Sequence, residues 1–156
     1  MDEDELSMPV RAALSAIRGA IPTSGSEDLQ EALSSVGTAL FWVCALDEQL
    51  SKNEGYKSRR NQDPAGRLIV GLRIGRNAVA HGAAIIVKPL AGLTWPTTWP
   101  LTWNGAVWAD FATVRASLLR EPALNSRAKW EEEIAGRNVP DTLTDVHDWL
   151  AGCSSS

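Results

Sequence analysis

The sequence predicts an all-α helical bundle. Apolar residues recur every three or four positions through most of its 156 residues, which is the spacing of one face of an α-helix. Helix-capping residues and prolines separate these periodic stretches, as expected for successive helices. A chain of this length can form one domain with one sizeable core. We therefore predict a single helical domain over residues 1–153, followed by a tail at residues 154–156.

The first two helices carry apolar stripes that need a packing partner. Ser7 can cap the first helix, and Pro22 is expected to end it. Ser24 and Glu27 have the spacing of a capping box, so a second helix is predicted from there to about Leu50. Its stripe extends over about seven turns, which only a helix of similar length in a bundle could cover. The stripe consists of Leu29, Leu33, Val36, Leu40, Val43 and Leu50.

A polar loop is predicted between the second and third helices, at residues 51–62, because this stretch is polar throughout. Its basic residues include Lys57, Arg59 and Arg60. Asp63 followed by Pro64 is a favourable N-cap and first-turn pair. The third helix is therefore predicted to begin there and to end near Gly82.

The pattern changes after the third helix. Residues 84–87 are short and β-branched, which predicts an extended segment. A stretch with a tryptophan every four residues follows, and Pro96 and Pro100 exclude a helix there, so we predict an irregular insertion. Its tryptophans are Trp95, Trp99 and Trp103. They would either pack on the bundle or form a platform for bases or for a second subunit.

Extra helices are predicted at the C-terminal end. Asn104 can cap a helix that runs to about Arg120. Another is expected from Pro122 to Ala135, where Gly136 would stop it. A last short helix covers residues 140–151.

Positive charge is concentrated around the third helix. Residues 51–90 contain eight basic and two acidic residues, a net charge of +6, although the whole chain has a net charge of -4. Such a region could hold a phosphate backbone. The alternative interpretation is a solvated loop with scattered lysines and arginines.

The composition is that of an ordinary soluble globular protein, with 44% hydrophobic and 22% charged residues. The acidic residues 2–5 do not resemble a secretory signal, and no apolar run approaches the roughly 18 residues of a membrane span. Cys44 and Cys153 are isolated thiols without metal-ligand spacing. We therefore expect a reduced, cytoplasmic protein with no membrane partner.

The third helix carries the most informative polar residues. Arg73, Asn77 and His81 are spaced as a row along one face, and Arg76 lies beside that row. The opposite side has core spacing, with Leu68, Leu72, Gly75 and Val79. Two glycines four residues apart, Gly71 and Gly75, would allow another helix to approach closely, in this subunit or across a dimer.

These residue types suit chemistry on a phosphate. His81 could act as general acid or base, since an unperturbed imidazole has a pKa near ~6.5. Arg76 could stabilise negative charge on the phosphate, and Asn77 could orient the imidazole or a ribose hydroxyl. The alternative is that His81 only caps the helix C-terminus. Because the RNA 2′-hydroxyl can itself be the nucleophile, we expect no metal and no cofactor. Asp47 and Glu48 on the second helix could orient His81 or Arg76 if they face the third helix.

The run Arg76-Asn77-Ala78-Val79-Ala80-His81 resembles the R-x4-6-H motif, in its R-N-x-x-x-H form, of the HEPN superfamily (higher eukaryotes and prokaryotes nucleotide-binding domains). The resemblance covers roughly residues 7–120 and implies a HEPN-like helical bundle that forms a homodimer, with the two motifs at the interface. It further implies a metal-independent endoribonuclease, of the toxin or phage-defence type, that leaves a 2′,3′-cyclic phosphate. Arg76 and His81 then take the catalytic positions, and Asn77 the polar position after the arginine.

Two further expectations concern substrate and partners. Charge and spacing suggest Arg73, Arg59 and Arg60 as substrate-binding residues. In one HEPN toxin subgroup a tyrosine follows the histidine by two positions, whereas this chain has Ala83 there, which makes a nucleotidyltransferase partner less expected. A cognate antitoxin or inhibitor protein is a possible partner. The alternative function is that of a non-catalytic HEPN module that binds RNA, nucleotide or a protein partner.

Overall fold

The computed structural model describes residues 3–82, 85–87 and 106–154. The tryptophan-rich insertion, with Trp95, Trp99 and Trp103, lies outside these residues. The described chain is mostly helical, which confirms the all-α class, and it also contains a small antiparallel ribbon. The helices are α1 (Glu3–Thr23), α2 (Leu29–Leu50), α3 (Glu54–Gln62), α4 (Pro64–Ala80), α5 (Phe111–Arg115), α6 (Leu124–Lys129) and α7 (Val139–Ser154), and a π-helical turn spans Trp130–Ile134. The ribbon pairs β1 (Ile86–Val87) with β2 (Val107–Trp108).

The first two helices pack against each other, and their boundaries differ from the prediction. α1 starts at Glu3, before Ser7, and Pro22 lies in its last turn, because a proline there removes only one backbone hydrogen bond. α2 is capped by Asp28, whose carboxylate accepts hydrogen bonds from the N–H groups of the following turn. The predicted capping box at Ser24 is wrong, since the Ser24 hydroxyl instead donates to the carbonyl of Ile21, at 2.8 Å, in the last turn of α1.

α2 is the core helix of the molecule. Its buried residues include Val36, Leu40 and Val43, as predicted, and it packs against α1 and α4. Leu29, predicted as part of the stripe, is 42% exposed because it lies at the first position of the helix, beyond the packed turns. Within the described ranges, α2 alone has the length and apolarity of a membrane span, a test that the core helix of a soluble protein also passes.

The stretch predicted as a polar loop contains the short helix α3. Asn53 caps it by accepting hydrogen bonds from the N–H groups of Gly55 and Tyr56. Tyr56 is its one buried residue, so the sequence shows no apolar periodicity. Capping, the buried Tyr56 and the ion pair of Arg60 with Asp47 of α2 therefore hold this helix.

α4 begins and ends as predicted, with Asp63 as N-cap and Pro64 in the first turn. The expected close approach at its glycines is confirmed, and it occurs within this subunit. A Cβ atom on Gly71 would lie 2.5 Å from Cδ1 of Ile134, and one on Gly75 would lie 3.1 Å from the ring of Trp130. The π-helical turn and the end of α6 thus pack directly on the backbone of α4.

The region after α4 is only partly as predicted. The extended segment is confirmed at Ile86–Val87, but the helix expected from Asn104 is wrong. Trp108 lies on β2, where it pairs with Ile86, and its backbone N–H donates to the carbonyl of Arg137 at 3.0 Å. Asp110 then caps the much shorter α5. These strand pairings join distant parts of the chain, so the local pattern did not reveal them.

The C-terminal helices confirm the predicted burial. Leu143, Val146 and Leu150 of α7 are buried, and α7 packs on α1 and α4. The helix predicted at residues 122–135 is divided into α6 and the π-helical turn, and it ends before Gly136, which has a φ of +75°. Trp130 in that turn is buried, and its indole N–H donates to the carbonyl of Ala109 at 3.1 Å.

Candidate functional site

The predicted catalytic motif lies at the C-terminal end of α4. His81 is the C-cap residue, and its backbone N–H donates to the carbonyl of Ala78 at 3.0 Å. Gly82 follows with a φ of +78°, a left-handed conformation that glycine adopts at low cost. The chain therefore turns away immediately after His81, and its imidazole is exposed.

His81 and Asn77 face an open cleft. Its volume is about 350 Å³, and we call it the α4 cleft. The residues that line it are Ile74, Asn77 and His81 on one side and Leu118, Leu119, Arg120, Glu121 and Pro122 on the other. The structure thus places two of the three predicted catalytic residues, Asn77 and His81, in the lining of one cleft.

Arg76 does not line this cleft and contacts α2. Its Nη2 atom lies 3.2 Å from Oε1 of Glu48, and about a third of the side chain is exposed. Its Nε atom is buried and has no hydrogen-bond partner in the part of the chain that the structure describes. The Arg76 guanidinium therefore lies between α4 and α2, with its Nη2 atom paired to Glu48 and its Nε–H group unpaired within the described residues.

Arg73 does not line the cleft either. Its Nη2 atom contacts Oδ2 of Asp47 on α2 at 2.5 Å. The predicted row of Arg73, Asn77 and His81 therefore does not share one environment. An α-helix has 3.6 residues per turn, so positions four apart rotate by about 40° each time, and over eight residues the row passes from α2 to the cleft.

Asp47 is the centre of a buried polar cluster that joins α2, α3 and α4. Its side chain is fully buried, and it accepts hydrogen bonds from Nη1 of Arg60 at 2.9 Å and from the hydroxyl of Tyr56 at 2.9 Å, besides that of Arg73. Burial, followed by the charge and hydrogen bond of Asp47, raises the pKa of Tyr56. Burial alone would lower the pKa of Arg73, but its hydrogen bond and charge interaction with Asp47 outweigh that effect and raise the pKa.

The two basic residues predicted on α3 have different environments. Arg60 belongs to the Asp47 cluster, where its largely buried guanidinium is paired with that carboxylate. Arg59 is exposed, on the surface near Cys153, and does not line the α4 cleft. Much of the positive charge of residues 51–90 is therefore balanced by carboxylates within the fold.

Arg120 is a cleft residue that the sequence did not indicate. It is exposed at the mouth of the α4 cleft, and no carboxylate pairs with it in the described ranges. Its neighbour Glu121 contacts Nε of Arg115 at 2.8 Å and Nη1 of Arg127 at 3.6 Å. Because Arg120 is nearly forty positions away from His81 in the sequence, no local spacing could connect the two.

Metal-ligating residues are not clustered in the described ranges, where no group of three His, Cys, Asp or Glu side chains is close enough to hold an ion. The second histidine, His147, contacts Asp148 with Nδ1 at 3.0 Å. Asp145, on the same helix, is paired with Arg137.

No protein-family model, curated protein or solved structure matches this chain. The features of the molecule that bear on its function are therefore the α4 cleft and the motif at residues 76–81.

Proposed function

We propose that the protein is a metal-independent, HEPN-like endoribonuclease that cleaves RNA by attack of a 2′-hydroxyl on the adjacent phosphate. The observation that carries this proposal is the exposed imidazole of His81 in the open α4 cleft, beside Asn77. An imidazole titrates near working pH, so it can accept or donate a proton in this reaction. Asn77 can orient it or a ribose hydroxyl through its amide.

The reaction needs no resident cofactor. The 2′-oxygen forms a bond to phosphorus while the bond to the 5′-oxygen breaks, which leaves a 2′,3′-cyclic phosphate and a free 5′-hydroxyl. One proton must leave the 2′-hydroxyl and one must reach the 5′-oxygen, and His81 performs one of these transfers. Negative charge on the non-bridging oxygens needs a cation, and Arg120 at the mouth of the cleft and Arg76 are the candidates.

A homodimer would complete this site. Arg76 faces α2 rather than the cleft in its own subunit, so the two motif residues would act together most directly across an interface between subunits. Leu119, which lines the cleft, and nearby Leu124 are about 80% exposed, and a second subunit could cover such an apolar surface. A cytoplasmic toxin or phage-defence effector, with or without an inhibitor protein, is the role that fits such an enzyme.

The alternative is a non-catalytic HEPN module that binds RNA, nucleotide or a protein partner. The observation in its favour is the ion pair of Arg76 with Glu48, which occupies the guanidinium within the fold. In that case Arg76 stabilises the packing of α4 on α2, and His81 contacts the bound RNA, nucleotide or protein without taking part in a reaction.

An RNA-cleavage assay distinguishes the two functions. We expect the wild type to cleave RNA in the presence of a chelator, and His81→Ala to lower the rate by about 10²–10⁴-fold. His147→Ala is the matched control, since it removes the other histidine without touching the cleft. If the wild type binds RNA without cleaving it, the module is the correct function. Cleavage that persists in both His81→Ala and Arg76→Ala would contradict the nuclease proposal.

Mixing the two inactive variants tests the shared site. If Arg76 of one subunit acts with His81 of the other, a mixed dimer of Arg76→Ala and His81→Ala has one intact site. An equal mixture should then regain roughly a quarter of the wild-type activity, by the symmetry of a twofold dimer. No recovery in a mixture shown to exchange subunits would place both residues in the same subunit's site.

A further inference from the structure

A second depression lies at the other end of α4. Its volume is about 260 Å³, and we call it the basic pocket. The residues that line it are Asn61, Arg67, Val70, Asn125 and Lys129. Two cations and two side-chain amides therefore surround one small space.

The basic pocket and the α4 cleft lie end to end along the same face of α4. Val70 lines the pocket and Ile74 lines the cleft, and these residues are one helical turn apart. The opposite wall is also continuous in sequence, because Pro122 lines the cleft and Asn125 lines the pocket. The two depressions are separate but follow one another along the line between α4 and residues 118–129, and we call this line the furrow.

The two walls of the furrow run in opposite directions. Residues 118–122 lie beside His81, and Lys129 lies beside Arg67, which is fourteen residues before His81. At 1.5 Å of rise per residue, the two ends are about 21 Å apart along α4. Each depression has one aliphatic side chain of α4 in its lining, Val70 in the basic pocket and Ile74 in the α4 cleft, and both residues are buried.

The basic pocket keeps an excess of positive charge. Glu133 accepts hydrogen bonds from Nε of Arg67 at 3.1 Å and from Nζ of Lys129 at 2.8 Å. Burial opposes ionisation of Glu133, but the two cations lower its pKa, so the carboxylate is charged at neutral pH. One carboxylate between two cations leaves a net charge of about +1 at a partly buried position, where an anion is attracted more strongly than at an open surface.

We propose that this furrow binds a single strand of RNA, with the reacting phosphate at His81 and a second phosphate held by Arg67 and Lys129. The nucleotides in between would span the stretch of α4 from Val70 to Ile74. At the stacked spacing of 3.4 Å per nucleotide, a separation of about 21 Å corresponds to roughly six nucleotides. The assignment of the reacting phosphate rests on the proposed function, whereas the second subsite can be tested without cleavage.

The test is a binding titration with fluorescein-labelled, 2′-O-methyl RNA of about ten nucleotides, followed by anisotropy at several salt concentrations. The methyl group removes the nucleophile, so the wild-type protein can be used. Lys129→Gln should weaken binding by about tenfold and make the slope of log affinity against log salt shallower by about 0.7, the loss of one phosphate contact on a single strand. Glu133→Gln should strengthen binding, because it frees both cations.

Arg18→Gln is the matched control, because it removes one positive charge from an exposed position on α1, away from the furrow. Its salt slope should equal that of the wild type. The furrow is refuted if Lys129→Gln and Glu133→Gln both bind like the control, or if RNA of about three nucleotides binds as tightly as the longer strand. Binding that responds to these variants without cleavage of unmodified RNA would refute the nuclease and keep the furrow, and the reverse result would refute the furrow alone.

Discussion

Replacing Asp47 by alanine should remove a large part of the stability of the protein. The Asp47 carboxylate is fully buried and is the common acceptor for Arg60, Arg73 and Tyr56, which come from two other helices. Without it, two guanidiniums lose their counter-charge at the junction of α2, α3 and α4. The perturbation therefore affects the packing that holds α4, and with it the whole candidate site.

The expected loss in the free energy of unfolding depends on how much water can reach Arg60 and Arg73 once the Asp47 carboxylate is removed. Breaking a buried ion pair by removing one partner costs about 3–5 kcal/mol. The Arg60 side chain is 12% exposed and would bear most of this cost, whereas Arg73 is 34% exposed and could be partly rehydrated. We therefore expect a loss of about 3 kcal/mol, a substantial share of the roughly 5–15 kcal/mol that stabilises an ordinary domain.

The neighbouring residue on the same helix provides the control. Glu48 is 54% exposed and pairs with Arg76 at 3.2 Å, so Glu48→Ala should cost less than about 1 kcal/mol. Urea unfolding followed by circular dichroism gives both values, provided that the m-values are unchanged. Equal losses for Asp47→Ala and Glu48→Ala, both under about 1 kcal/mol, would refute the conclusion that the Asp47 cluster holds these helices together.

Two further predictions concern stability. Gly71→Ala should destabilise the protein by about 1–3 kcal/mol, because the new Cβ would lie 2.5 Å from Cδ1 of Ile134. Gly19→Ala lies in the interior of α1 with open space around it and should stabilise the protein by about 0.5–1 kcal/mol. Similar effects of both substitutions in thermal unfolding would contradict the close packing at Gly71. Burial raises the pKa of Cys44 from 9.0 to about 12, so the unfolded chain loses this proton first, and the free energy of unfolding should fall between pH 9 and 12 by up to about 1.4 kcal/mol per pH unit for this group. In Cys44→Ala this contribution should be missing, leaving the declines from Tyr56 and Cys153, whose pKa values burial also raises. An identical pH profile for both proteins would show that the thiol of Cys44 is not buried in solution.

The candidate site was predictable only in part. The spacing of residues 76–81 placed Arg76, Asn77 and His81 on one helix, and the exposure of His81 follows from its position at the helix end. The elements packed around α4 decide which of these residues lie at the same site. Arg76 pairs with Glu48 on α2, whereas Asn77 and His81 line the cleft opposite residues 118–122.

The sequence alone determined the features whose causes are local. The Asp63-Pro64 start of α4, its end at Gly82 and the buried stripe of α7 each depend on residues within a few positions of one another, through capping, backbone conformation or helical periodicity. The tertiary structure decided the rest. The strand at Trp108, the burial of Arg60 and the place of Arg120 at the cleft depend on contacts between residues far apart in the chain, and the energy of such contacts exists only after the helices have packed.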